Sequence, residues 1–73
     1  MNHQDILNNI NNLATVNSMC DICMVKEMMR LVVDKTPLRI IKLTKSGMVY
    51  CEDINDTRKK YTIPPRNLDL MSI

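Results

Sequence analysis

The sequence contains no tryptophan and no phenylalanine, and its only aromatic residues are Tyr50 and Tyr61. The hydrophobic core must therefore be built from isoleucine, leucine, valine and the 7 Met, whose flexible side chains fill irregular gaps but also suit adaptable binding surfaces. A chain of 73 residues is long enough for one small domain, which buries only about 60% of the surface that its unfolded chain exposes. We therefore expect a single domain over residues 1–73, of modest stability.

Glycine and histidine are almost absent, since each occurs once, at Gly47 and His3. This scarcity excludes a glycine-rich phosphate loop and a Ser-His-Asp constellation. The aspartates of the second half, Asp53, Asp56 and Asp69, are typical of turns rather than of a catalytic carboxylate pair. We predict that the protein is not an enzyme and uses no cofactor.

Long apolar runs are also missing, so the sequence predicts no membrane span. The polar first residues lack the apolar stretch of a secretory signal, and an odd number of cysteines, 3 Cys, favours free thiols in a reducing cytoplasm. Cys20-x-x-Cys23, with Cys51 and His3, supplies the residue types of a Cys₃His zinc site. Three buried cysteines that behave as small apolar side chains explain the same residues, and the sequence leaves both interpretations open.

The formal net charge of +2 is unevenly distributed along the chain. Residues 1–36 carry three basic and four acidic side chains, whereas residues 37–73 carry seven basic and four acidic ones. Charge of this kind can neutralise phosphates and give salt-dependent binding of nucleic acid, with a tyrosine stacking on a base. Lysines that protect exposed strand edges from aggregation are the structural alternative. The candidate nucleic-acid-binding residues are Arg39, Lys42, Lys45, Arg58, Lys59, Lys60 and Arg66.

Hydrophobic periodicity predicts two helices before Pro37. Apolar residues at helical spacing favour a first helix over residues 3–16 and a second over residues 18–35, joined as an antiparallel helical hairpin. The second helix has two apolar stripes and only a narrow polar edge, so we expect it to be covered on most of its surface. Its methionines, Met24, Met28 and Met29, are candidate partner-binding residues together with Tyr50 and Tyr61.

From residue 38 onward the pattern changes to short apolar, β-branched runs separated by turns. It predicts strands over residues 38–43, 48–53 and 58–63, with turns at 45–47 and 55–57. Residues 67–71 form a 3₁₀ turn or a short closing strand. The predicted fold is α+β, an N-terminal helical hairpin (1–36) packed on a three- to four-stranded antiparallel SH3-like β-meander (37–73).

Residues 38–71 resemble small SH3-like β-barrels of the Tudor or KOW kind. The similarity lies in the order of a strand, a turn with Gly47, a strand ending in Glu52-Asp53, a polar turn, a strand and a proline-led closing segment. The resemblance implies a strongly bent meander and, for the KOW kind, binding of RNA or DNA. The aromatic cage of Tudor domains that read methylated ligands requires more rings than Tyr50 and Tyr61 provide.

The residue usage, rich in Asn, Ile, Lys and Met, is similar to that of the small host-takeover proteins of T-even-like phages. That similarity implies a non-catalytic regulator that binds a host protein or complex, and an apolar helix face also allows self-association. The alternative is a KOW-like nucleic-acid-binding protein that uses the basic turns of the meander. Charge substitutions and apolar substitutions distinguish the two hypotheses.

Overall fold

The computed structural model describes the backbone of residues 1–17 and 26–71, and the side chains of all of these except residues 26–28. Its helices are α1 (His3–Leu7) and α2 (Lys26–Asp34), with a 3₁₀ turn at Pro65–Asn67. Its strands are β1 (Leu13–Val16), β2 (Leu38–Leu43), β3 (Val49–Asp53), β4 (Asp56–Ile63) and β5 (Leu68–Leu70). The five strands form one antiparallel sheet in the order β4-β3-β2-β1-β5.

The predicted first helix is wrong beyond its first turns. Asn2 and Asp5 cap α1 reciprocally, with the Asp5 amide donating to Asn2 Oδ1 at 2.8 Å and the Asn2 amide donating to Asp5 Oδ2 at 3.2 Å. The helix then stops in a run of asparagines, where Asn9 donates from its side chain to the Asp5 carbonyl and Asn11 adopts a φ of 72°. Asparagine tolerates this left-handed conformation and competes for local backbone groups, so it ends the helix.

Residues 13–16 form strand β1 instead of a helix. Their exposure alternates between half-buried and buried, with Ala14 and Val16 inside. This period of two is that of a strand with one face in the core. The predicted N-terminal helical hairpin is therefore wrong, because the segment that should form most of its first helix joins the sheet between β2 and β5.

The second predicted helix is present as α2, and its proposed beginning at residues 18–25 lies outside the described residues. It ends at Asp34, after which Lys35 takes a φ of 50° and the Thr36 amide donates to the Leu31 carbonyl at 3.3 Å. Leu31 is buried, but Val33 is 73% exposed. The expectation that the helix is covered on most of its surface is therefore wrong for this part of α2.

The predicted strands after Pro37 are found close to their expected positions, as β2, β3 and β4. The closing segment contains both predicted alternatives in succession, since the 3₁₀ turn at Pro65–Asn67 leads into β5. Strand β5 pairs with β1, with Leu68 opposite Val16. The sheet therefore has five strands, rather than the three or four expected.

The core lies on the inner face of the sheet, which α1 and α2 cover with Ile6 and Leu31. One row of it crosses three strands, because Ile40, Cys51 and Tyr61 are paired in register and all are buried. No methionine belongs to the buried core formed by the described side chains. Aliphatic residues from the strands supply most of the packing, and side chains one position along point to the opposite face.

Candidate nucleic-acid interface

The face of β2, β3 and β4 that points away from the core carries charged and polar side chains. Strand pairing arranges them in two cross-strand rows, and we call these six residues the outer face: Arg39, Glu52 and Lys60 in one row, and Lys42, Tyr50 and Thr62 in the other. The register shift after Ile40 allows both Arg39 and Lys42 to lie exposed on β2 although they are three positions apart. Neighbouring strands are about 4.8 Å apart, so each row spans about 10 Å.

The outer face has an excess of positive charge, with three cations and one carboxylate. The Lys60 ammonium forms an ion pair with Glu52 Oε2 on the adjacent strand. The Lys42 ammonium lies 5.6 Å from the centroid of the Tyr50 ring, within the range of a cation–π contact. Arg39 has no ion-pair partner among the described side chains, so its guanidinium is available to an external anion.

The four other predicted basic residues lie elsewhere. Lys45 belongs to the turn between β2 and β3, and Arg66 lies in the 3₁₀ turn before β5. Arg58 lies in the irregular part of β4, where its Nε donates to Asp56 Oδ1 at 3.1 Å. This hydrogen bond from Arg58 holds the pKa of the Asp56 carboxyl below its ordinary value. The seven basic residues therefore do not form one patch.

Lys59 lines a cleft between α2 and the end of the β3–β4 hairpin. The cleft has a volume of about 210 Å³ and is also lined by Arg30, Asp34 and Asp53. Its two basic and two acidic side chains give it no net charge, and an unspecific polyanion gains little from such a site. The excess positive charge of the sheet is on the outer face and not in the cleft.

The two tyrosines, which the sequence could not distinguish, lie on opposite faces of the sheet. Tyr50 is partly exposed on the outer face, whereas Tyr61 is 9% exposed and belongs to the core. Tyr61 is therefore not available as an outer contact for a base or a partner. A period-of-two reading of β4 contains the necessary signal, since Tyr61 and Ile63 share a face and Ile63 is fully buried.

The methionines proposed for partner binding are described only in part. Met24 and the side chain of Met28 lie outside the described residues, and Met29 is 39% exposed on α2. Val33, four positions further along and therefore on the same helix face, is 73% exposed. These two residues form a small apolar strip on α2 that the sequence analysis did not predict to be exposed.

The possible zinc ligands are not brought together in the described part of the protein. Cys51 is buried on the inner face, its Sγ donates to the Val49 carbonyl at 3.7 Å, and burial raises the pKa of its thiol to about 12. His3 is exposed and packs beside Gly47. Residues 1–17 and 26–71 contain no cluster of three or more His, Cys, Asp or Glu side chains that could hold a metal ion. Cys20 and Cys23 lie outside these ranges.

No helix in the described part of the chain is both long and apolar enough to cross a membrane. No family model matches the sequence, and neither the curated proteins nor the solved structures contain a match to it. The functional argument therefore rests on the chemistry of the outer face and of the exposed strip on α2.

Proposed function

We propose that the protein is a non-catalytic binding module whose outer face binds the phosphate backbone of a nucleic acid. The observation that carries the proposal is the presence of Arg39, Lys42 and Lys60 around a partly exposed ring on one sheet surface. Phosphate oxygens accept hydrogen bonds from guanidinium and ammonium groups, and each neutralised phosphate releases counterions. Binding should therefore weaken steeply as salt is added.

The order of the strands supports the resemblance to SH3-like modules of the KOW kind, which remains part of the proposal. Strands β2, β3 and β4 follow each other as a meander, and the closing strand returns to pair with β1. In a KOW-like protein the nucleic-acid hypothesis relied on basic turns, whereas here the cations share a strand surface. We place the protein in the cytoplasm, where a reduced Cys51 thiol and access to nucleic acid are both expected.

The test is a triple substitution, R39Q/K42Q/K60Q, measured by fluorescence anisotropy with a labelled oligonucleotide of about 12 nucleotides. Three lost phosphate contacts should reduce the slope of log K against log salt by about 2 for a single strand. A matched control, K35Q/K45Q/K59Q, removes the same charge from exposed positions outside the outer face. Equal losses in the two triple variants would show that net charge alone drives binding and would refute the proposed site.

A second candidate function is binding of a protein, because Met29 and Val33 expose apolar surface on one side of α2. A small regulator that acts on a host protein would use such a strip, as the resemblance to phage host-takeover proteins implies. The M29D/V33D variant should then lose a host protein that the unmodified chain retains from nuclease-treated lysate. The same variant should keep its affinity for the oligonucleotide, and loss of both activities would indicate misfolding or a shared site.

A further inference from the structure

We infer that the ligand of the outer face is a single strand, with one unpaired base stacked on Tyr50 and its backbone lying along β2. This inference depends on the proposed nucleic-acid function and specifies the form of its ligand. It is carried by the position of one ring relative to the two cations of the neighbouring strand. Three features of the outer face support it.

The first feature is that Tyr50 is the only ring on the outer face, since Tyr61 is in the core. Its cross-strand neighbours are Lys42 and Thr62, and neither covers it with an apolar side chain. An aromatic ring in this setting offers a surface to the face of a base, and every base can stack on it. Bases of a duplex are already stacked on each other and do not present that face.

The second feature is the contact between the Lys42 ammonium and the Tyr50 ring at 5.6 Å. The ammonium shows that a charged group reaches the ring from the side of β2. Because the lysine stem is flexible, the ammonium can move to a phosphate while a base takes its place on the ring. Lys42 would thus neutralise the phosphate of the same nucleotide whose base contacts Tyr50.

The third feature is the asymmetry of charge across the sheet. On β2, Arg39 and Lys42 have no acidic partner among the described side chains, whereas on β4 the Lys60 ammonium is already paired with Glu52. Glu52 on the central strand repels phosphates from the middle of the outer face. The backbone is therefore favoured along β2, and bases point towards β3, one strand spacing of about 4.8 Å away.

The experiment compares three probes of equal length with the unmodified protein: a single-stranded oligonucleotide, the same strand with abasic sites throughout, and a duplex. The inference predicts that the intact strand binds at least about 5-fold more tightly than the abasic strand, as expected for loss of one stacked base. Y50L should weaken binding of the intact strand by a similar factor and leave binding of the abasic strand unchanged. Y50F, which keeps the ring, should behave as the unmodified protein does.

The outcomes separate the inference from the proposed function. Binding of all three probes with equal affinity, or an equal loss for intact and abasic strands in Y50L, overturns the stacking inference but leaves phosphate binding in place. Failure of every probe to bind at low salt overturns both. If Y50L does not fold, as judged by its thermal transition, the comparison of intact and abasic strands with the unmodified protein still decides the question.

Discussion

Glu52 allows a gain-of-function test of the outer face, because it is the only carboxylate there. The conservative change E52Q keeps the size and hydrogen-bonding capacity of the side chain and removes its charge. The Lys60 ammonium, now paired with Glu52 Oε2, would then be free to contact a phosphate. We expect E52Q to bind a single-stranded oligonucleotide more tightly than the unmodified protein, and more so as the salt concentration falls.

The magnitude follows from the number of phosphates neutralised. One additional contact steepens the slope of log K against log salt by about 0.7 for a single strand, so a tenfold reduction in salt adds about 5-fold to the advantage of E52Q. The Lys60 and Glu52 side chains are 36% and 16% exposed, and a partly exposed ion pair of this kind contributes roughly 0.2–1 kcal/mol to stability. Because 1 kcal/mol corresponds to about 4–8 °C in a domain of this size, the Tm of E52Q should fall by no more than that.

The assay is anisotropy titration over a series of salt concentrations, with D69N as the matched control. Asp69 is exposed on β5, which three strand spacings separate from β3, and its Oδ1 accepts from Asn17 Nδ2 at 2.8 Å. D69N changes net charge as E52Q does but leaves the outer face intact. If E52Q binds no more tightly than D69N, the lysine of the ion pair is not a phosphate contact and the assignment of the outer face is wrong.

Two further predictions concern the scaffold of the site. Gly47 has a φ of +83°, and a Cβ there would lie 3.1 Å from the His3 imidazole, so G47A should lower the free energy of unfolding by about 1–2 kcal/mol; urea titration measures this, and H3A/G47A should recover only the part that is due to the imidazole contact. The Cys51 thiol, whose pKa burial raises from 9.0 to about 12, binds its proton more tightly in the folded state, so stability should fall as pH rises from about 9 towards 12; urea titrations of the unmodified protein and of C51A at increasing pH should show a steeper loss in the former.

The second half of the fold could be predicted from the sequence because its signals are local. The β-branched runs of β2 and β4 alternate between exposed and buried positions, and Gly47 marks the one turn that needs a positive φ. Strand boundaries then follow from turn chemistry within a few residues. The pairing of β5 with β1 joins residues more than fifty positions apart, and no periodicity in either short segment specifies it.

The first half was predicted wrongly because two periodicities compete there. Ile6, Ile10, Leu13 and Ala14 fit a helical stripe, but Ala14 and Val16 fit a strand equally well over four residues. Short apolar segments do not distinguish helix from strand by periodicity alone. Asn11 decides the outcome, since its left-handed conformation turns the chain and its amide donates to the Ile40 carbonyl at 2.7 Å, which brings β1 beside β2.

The site was predictable in residue type but not in arrangement, and the reason is the period of two. Seven basic residues in the second half indicated phosphate binding, but only strand register shows which of them share a face. The shift after Ile40 is decisive, because a regular strand would place Arg39 and Lys42 on opposite faces. An irregularity of one residue therefore puts a second cation of β2 beside the Tyr50 ring, and without it the outer face would lack the ammonium from which the stacking argument begins.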